Sequence, residues 1–374
     1  MKPRVLHLIT AYNGRAFVPR AIESAMRMDN SIADIDVLIL DDASPETGWS
    51  EELKAICEKL GAHYYCAPRN LGIPRNCSLG LATAVEKDYD YVTINNSDVI
   101  FPKNLITQMV KACQAEGVGS VTAWSNNVSI FSIPNSDPDK HLASQEIVDF
   151  LSERLADKYG TDLIDVPAGI SFAIMMPVDV VRKVGFMDPI FGRGYCEETD
   201  WSLRSLAMGY RLCLAPGTFV YHQGRGTNVD AGLVSGAHTT VPENEAIIDL
   251  RHPKFRDQCH EFELSGVMPE YKGEAIDYLL DEGAAKFGYE IVREEGKAEE
   301  QVAKKPLQVT VETGDAGPVM RFSFAGFEQV WPIKAVCDLK NAVTRFGETG
   351  LKRNDYSNLT ADGKVPEHYP VEVW

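Results

Sequence analysis

The chain lacks paired cysteines, long apolar runs and any excess of positive charge, and each absence narrows what it can be. Its eight cysteines are Cys57, Cys66, Cys77, Cys113, Cys196, Cys213, Cys259 and Cys337. No two carry the spacing of a zinc knuckle or a redox pair, which fits a reduced, intracellular protein. The longest apolar stretch, Ala168 to Val181, is broken by Pro177 and Asp179, so no segment is expected to span a bilayer. The run Val5–Ile9 that follows Met1-Lys2-Pro3-Arg4 is too short for a signal-peptide core and has no cleavage site. The expected location is the cytoplasm, with peripheral attachment to a membrane as the alternative. A formal net charge of −17 opposes binding to nucleic acid or to an anionic surface by bulk electrostatics. No internal repeat or low-complexity tract is visible.

What is present is an ordinary globular composition, 44% apolar and 24% charged over 374 residues. That length suits one large domain with an appendage, or two domains. The first half alternates strand-like and helix-like segments. Strands are predicted at Val5–Thr10, Val37–Leu40, His63–Cys66, Tyr91–Asn95 and Ser120–Ala123. Helices are predicted at Ala16–Met28, Glu51–Leu60, Asn76–Val85 and Pro102–Glu116. Such alternation predicts a mostly parallel α/β sheet covered by flanking helices.

The predicted main strands end in polar residues. Val5–Thr10 runs into Ala11-Tyr12-Asn13, Val37–Leu40 into Asp41-Asp42, and Tyr91–Ile94 into Asn95-Asn96-Ser97-Asp98. In open α/β sheets ligands sit beyond the carboxyl ends of strands, so these clusters are expected to converge on one crevice.

Further along, 126–139 reads as an exposed loop, Ser144–Tyr159 as a helix, Gly169–Met176 as a strand and Asp179–Val184 as a helix. After Thr227 the character changes. Acidic residues exceed basic ones from Glu243 to Lys305 in helix-like segments such as Glu274–Phe287, and Leu307–Glu312 and Val319–Phe324 alternate as two strands would. The expected organisation is a main domain over 1–240, an acidic helical extension over 241–305 and a small α+β region over 306–374.

The densest chemistry lies just after the glycine-rich turn Phe191-Gly192-Arg193-Gly194, where Glu197, Glu198 and Asp200 sit beside Trp201. A clustered acidic set next to an aromatic is what a site needs to take a proton from a hydroxyl. On a helix, Asp200 and Arg204 are four apart and able to pair, and the acids also suit a first helical turn. His222 follows in Tyr221-His222-Gln223-Gly224, and Asp98 precedes at the end of an apolar run. Together they point to a carboxylate base beside a metal held by one Asp and one His.

These motifs, in this order over roughly residues 4–228, resemble the inverting glycosyltransferases of family 2, whose fold is GT-A: a Rossmann-like, mostly parallel sheet with flanking helices. The stretch beyond them would be a C-terminal helical and small β extension. The resemblance implies donor contacts from Thr10, Ala11, Tyr12 and Asn13 on the first strand. It implies recognition of the donor base and ribose by Asp41 in Leu40-Asp41-Asp42-Ala43-Ser44-Pro45. Arg75 in Asn70–Gly80 would face the donor, and Arg225 in a glycine-flanked loop would close over the diphosphate. Asn95-Asn96-Ser97-Asp98 resembles the family's Asp-x-Asp motif, with Asn96 where the first Asp usually stands and Asp98 keeping the second. Val166–Ser171 would border the acceptor, with Gly169 letting a sugar approach the backbone. In the acidic motif Glu198 takes the place of the catalytic Asp, one methylene longer. Glu197 would orient the acceptor and Trp201 would stack on a sugar face. Asp98 and His222 would hold Mn2+ or Mg2+.

The implied activity is metal-dependent, inverting transfer of a sugar from a nucleoside diphosphate, UDP- or dTDP-linked, to a saccharide or other hydroxyl acceptor. Surface polysaccharide or glycoconjugate synthesis is the default context. Two other classes stay open: a nucleotidyltransferase, and a catalytically silent sugar-nucleotide-binding or scaffold protein, which the Asn96 and Glu198 departures favour. Self-association through the C-terminal region also stays open.

Overall fold

A computed structural model describes residues 2–133, 144–224 and 241–288, together with the backbone of three strands between 308 and 332. The chain divides into two compact units, the first holding 1–132 and 136–268 and the second 133–135 and 269–374.

The first unit is built on an eight-stranded sheet. Its strands are β1 (Arg4–Ala11), β2 (Asp34–Asp41), β3 (His63–Cys66), β4 (Tyr91–Asn95), β6 (Val118–Trp124), β7 (Ile164–Asp165), β8 (Ala173–Pro177) and β9 (Arg211–Phe219), in the order β3-β2-β1-β4-β8-β6-β9-β7. Two short strands, β5 (Val99–Ile100) and β10 (Tyr221–His222), form a separate antiparallel pair. β1 pairs in parallel with both β2 and β4, β2 with β3, and β6 with β9. β8 runs antiparallel between β4 and β6, and β7 antiparallel on β9. The mostly parallel sheet is thus as expected. β1 is buried almost throughout, as a central strand covered on both faces must be.

Helices cover the sheet. They are α1 (Val18–Ala25), α2 (Trp49–Leu60), α3 (Ile73–Glu86), α4 (Leu105–Cys113), α5 (Gln145–Tyr159), α6 (Val178–Val184) and α7 (Glu197–Ala207). Their ends follow local chemistry. Ser144 caps α5 by accepting from the Ile147 N–H, and Gly61 ends α2 in a left-handed conformation. α3 lies close on the sheet: a Cβ at Gly80 would meet Leu8 Cδ1 at 2.2 Å.

Three later elements differ from the sequence reading. β9 was not expected, although it is buried along nearly its whole length. Within the segment 126–139, read as exposed loop, residues 126, 128 and 131–133 are buried and Asn127 is partly covered. The helices α8 (Pro242–Arg251) and α9 (Phe255–Leu264) lie within the first unit, which runs on to Met268, past the boundary expected at 240. The physical reason is visible in α8, where Ile248 is buried in a cluster with Phe191 and Leu203. The second unit contains most of α10 (Val267–Phe287) and an antiparallel sheet of β11 (Gln308–Gly314), β12 (Gly317–Phe324) and β13 (Phe327–Pro332). Sequence alternation anticipated the first two of those strands.

Candidate active site

The ends of β1, β2 and β4 meet side by side, because Ala11 stands opposite Asp41 and Ile9 opposite Asn95 in the sheet register. Beyond β1 the chain turns at Asn13, whose φ of 56° is left-handed. Asn13 ties this turn to the one after β2. Its N–H donates to Ser44 Oγ, its side-chain oxygen accepts from the Glu46 N–H, and its carbonyl accepts from the Trp49 indole. Thr10 and Tyr12 are partly exposed and Ala11 is buried.

Asp41 is fully buried. One of its oxygens accepts from the Ser44 N–H and hydroxyl, the other from Ser50 Oγ at 2.6 Å and Tyr64 OH at 2.7 Å. Both oxygens are therefore filled from within the chain. Asp41 shapes the turn here, and the expectation of a direct base or ribose contact finds no open oxygen. Asp42 accepts from the N–H groups of Leu71 and Gly72 at 2.7 and 2.9 Å, which locks the entry to α3 against β2. Arg75, in the first turn of α3, is exposed, with its guanidinium 3.5 Å from the Leu71 carbonyl.

At the end of β4, Asp98 and His222 come together from segments far apart in sequence. The β5–β10 pair sets Val99 opposite His222, and the Asp98 carbonyl accepts from the Gln223 N–H. Asp98 Oδ1 lies 3.2 Å from His222 Nε2, with both side chains buried. Nδ1 of the same ring donates to the Asn127 carbonyl at 2.9 Å. That bond directs Nε2 toward Asp98 and toward the Asn96 amide, 3.1 Å away. Burial works to lower the His222 pKa, but the Asp98 charge and the hydrogen bonds to Asp98 and Asn127 leave it raised. Asn126 braces the same histidine through its backbone, accepting from the His222 N–H and donating to its carbonyl. Among the described residues no three His, Cys, Asp or Glu side chains gather as a metal site.

The acidic motif opens α7 after an unusual turn. Gly192, Gly194, Tyr195 and Cys196 all have positive φ, and the last two are not glycine. This turn rests on the start of α3. The Ile73 N–H donates to the Arg193 carbonyl at 3.0 Å, and a Cβ at Gly72 would meet the Gly192 carbonyl at 2.3 Å. The segment before β8 spans the distance between the acidic motif and the His222 pair. The Gly169 N–H donates to Ser202 Oγ, Phe172 accepts from the Asn96 N–H, and the Phe172 ring lies 5.6 Å from that of His222.

The acids have different environments. Glu198 is half-buried, and burial raises its pKa against the pull of its own and the Thr199 N–H groups. Glu197 is buried and Oε2 has no hydrogen-bond partner among the described residues. Burial, then the adjacent Glu198 charge, pushes its pKa well above the carboxylate range. The acceptor contact expected of Glu197 thus falls on a buried side chain. Asp200 is buried too, and here desolvation is outweighed by hydrogen bonds from Arg204 and His252, the Arg204 charge and a bond from Arg251, so its pKa is lowered.

Two other expectations are corrected. Trp201 is buried, 1% exposed, and its indole N–H donates to the Gly185 carbonyl, so no sugar can stack on it in this arrangement. Gly169 is also buried. A Cβ there would meet Ile174 Cδ1 at 2.7 Å, so the glycine accommodates the protein's own side chain. Arg225 lies outside the described residues. Asn126, Asn127, Asn244, Arg251 and His252 carry no motif signal, because their roles depend on contacts between segments far apart in sequence.

Comparison with known proteins bears on this crevice. Residues 8–183 match the family described as Glycosyl transferase family 2. The undecaprenyl-phosphate mannosyltransferase of Micrococcus luteus is 23% identical over 249 residues, which cover 64% of this chain and 92% of that protein. Among solved structures, GalNAc-T7 with UDP, GalNAc and Mn2+ aligns with a TM-score of 0.46 at 13% identity, over 59% of this chain and 44% of its own. The mannosyltransferase PcManGT from Pyrobaculum calidifontis, in complex with GDP-Man and Mn2+, aligns with a TM-score of 0.45 at 14% identity, over 77% and 76% of the two chains. The family match takes in the polar ends of β1, β2 and β4 and the Asn96–Asp98 motif.

Proposed function

We propose that this protein is a glycosyltransferase that transfers a sugar from a nucleoside-diphosphate donor to a hydroxyl acceptor with inversion, and that Glu198 is the base. The carrying observation is the contrast among the three acids of α7. Asp200 is fully occupied by Arg204, Arg251 and His252, and Glu197 is buried. Glu198 alone of the three is partly exposed, with a pKa raised toward the range in which a carboxylate accepts a proton well. In this reading Glu198 takes the proton of the acceptor hydroxyl as that oxygen attacks the anomeric carbon. The donor diphosphate leaves from the opposite face, and no covalent intermediate on the protein is required.

The pair Asp98 and His222 fits a divalent ion. One carboxylate oxygen and one imidazole nitrogen already face each other, and the Asn127 carbonyl fixes the tautomer that leaves Nε2 available. With two such side chains, the remaining ligands would come from diphosphate oxygens and water, as oxygen-seeking Mn2+ or Mg2+ accepts. When bound, the metal would neutralise charge on the departing diphosphate. Asn96, bonded to the same ring nitrogen, would help orient the histidine. Thr10, Tyr12, Asn13 and Arg75 flank the strand ends where the nucleotide would lie, with Asp41 holding the turn between them.

The name of the bacterial relative adds mannose to the donor candidates and a lipid-linked phosphate to the acceptor candidates. No described helix is long and apolar enough to cross a membrane. A nucleotidyltransferase reading has no observation in its favour.

The test is release of free nucleoside diphosphate from UDP-, dTDP- and GDP-sugars with Mn2+ present, with and without acceptor, and the anomeric configuration of the product. Turnover of one donor with inverted configuration is the expected result. Retained configuration would overturn the single-displacement reading, and pyrophosphate release from a nucleoside triphosphate would support the nucleotidyltransferase instead.

A further inference from the structure

We propose that Asn244 is a positioning residue for the reaction: from α8 it fixes the Gly192–Cys196 turn, and through that turn the placement of Glu198 at the start of α7. The inference rests on the reading of Glu198 as base.

The turn needs an external hold. Tyr195 and Cys196 follow each other with φ of 73° and 74°, after Gly194 at 140°. Two consecutive non-glycine residues in the left-handed region are each disfavoured by roughly 1 kcal/mol or more and persist only where surroundings dictate them. Cys196 is the residue from which α7 departs, and its own side chain makes no capping bond there. The direction of the first turn of α7, and so of Glu197 and Glu198, is therefore set by the backbone before it.

Asn244 supplies the hold. Its buried side-chain amide donates to the carbonyls of Phe191 at 3.1 Å, Gly194 at 2.8 Å and Tyr195 at 2.9 Å. An amide has two N–H groups for these three acceptors, so at least one hydrogen is shared. Aspartate would have the shape but no donors, and glutamine the donors one methylene too far out. The opposite side of the turn is already fixed, by the Ile73 N–H on the Arg193 carbonyl and by the close approach of Gly72. The turn is thus gripped between α3 and α8.

α8 is a firm anchor for that grip. Ile248 is buried with Phe191 and Leu203, and Arg251 bonds Asp188 and Asp200 at 2.8 and 3.1 Å. Its opening turn meets the backbone before α7 while its last turn meets Asp200 inside α7. A helix that touches both ends of the acidic motif controls how the motif is presented.

The experiment compares the full chain with Asn244→Ala, Asn244→Asp and a control, Asn104→Ala, which removes a similar amide bond to the Ser152 carbonyl far from the acidic motif in sequence. Three quantities are read: amide hydrogen exchange of residues 191–200, kcat with its pH profile, and equilibrium binding of nucleoside diphosphate with Mn2+. Both Asn244 variants should exchange faster in that segment, lose ~10–100-fold in kcat as a misplaced base does, and keep nucleotide binding within about twofold. The acid limb of kcat should also move to lower pH, as a loosened turn lets water reach Glu198. The Asn104 control should change none of the three. Unchanged exchange over 191–200 would overturn the anchor, whatever the activity. Faster exchange with unchanged kcat would overturn the positioning role. The base reading itself is judged separately, by Glu198→Gln in otherwise native protein.

Discussion

Nε2 of His222 stands 3.2 Å from Oδ1 of Asp98, while Nδ1 of the same ring donates to the Asn127 carbonyl. The two side chains arrive from β10 and from the end of β4, residues far apart in sequence that the β5–β10 pair holds side by side. A ring whose far nitrogen is committed to a carbonyl has a defined tautomer. Its near nitrogen is then free to meet a proton, an amide or a metal ion.

Metal removal follows from that geometry. Excess EDTA should abolish transfer, and Mn2+ or Mg2+ should restore it. Asp98→Ala and His222→Ala should each remove metal-dependent binding of nucleoside diphosphate, measured by calorimetry with and without the ion. Asn96→Asp should tighten the ion by adding a second carboxylate beside the same nitrogen. Full turnover in EDTA would remove the metal from the reading.

Much of this was legible in sequence. The strand–helix alternation, and the polar clusters ending β1, β2 and β4, depend on local composition, so they survive translation into structure. The start of the segment 126–139 reads as exposed because Asn and Ser look exposed by composition. Here Asn126 is buried because its amide matches the backbone of His222 on both sides. Trp201 was assigned to a sugar because aromatics serve both cores and carbohydrate sites, and only the Gly185 carbonyl decides between them. Asp41 illustrates the same limit. Its type suits ligand binding, and the four donors that fill it come from Ser44, Ser50 and Tyr64, none of which a motif specifies.

The proposed role of Glu198 predicts a specific separation of rate from binding. Glu198→Gln keeps the size and removes the basicity. It should lower kcat by ~10²–10⁴-fold and leave donor affinity nearly unchanged. Because burial raises the Glu198 pKa, the acid limb of the native kcat profile should lie above the ordinary glutamate value of about 4.3. An acid limb at or below that value would argue that another group is the base.

Asp200 predicts loss of stability in place of loss of chemistry. Asp200→Asn weakens the bonds to Arg204, Arg251 and His252, and should destabilise the fold by about 1–3 kcal/mol at neutral pH, read by denaturant unfolding. The sign with pH is fixed by its lowered pKa. Its stabilisation is complete above the unfolded-state value of about 3.9, and is lost as pH falls through the lower folded value. The gap between native protein and Asp200→Asn should therefore be widest above pH 5 and close in more acidic solution. Glu197 has the opposite sign, since its raised pKa makes a contribution that is present at low pH and lost as pH rises through the folded value. Glu197→Gln should thus match native stability in acid and exceed it increasingly toward alkaline pH.

Truncation distinguishes the two possible ends of the catalytic unit. A chain ending at 240 keeps every recognised motif but removes α8, and with it the three bonds of Asn244, the Ile248 contact in the Phe191–Leu203 cluster and the Arg251 and His252 bonds to Asp200. Phe191 and Leu203 would then face water, and Asp200 would be left with Arg204 as its partner among these cations. Exposed apolar surface of that kind promotes aggregation. A chain ending at Met268 keeps all of these contacts. The shorter chain should therefore express poorly or aggregate, and any soluble fraction should bind nucleoside diphosphate with reduced transfer. The chain ending at Met268 should remain folded and bind nucleoside diphosphate as the full chain does. Comparing its transfer to the true acceptor and its sedimentation behaviour with those of the full chain then assigns residues 269–374. Loss of transfer with intact nucleotide binding places acceptor selection there, and a change in oligomeric state places assembly there. Equal transfer and equal assembly would remove both roles from the tail. A soluble, fully active chain ending at 240 would show that α8 is dispensable and would overturn the account of the acidic motif given by its contacts.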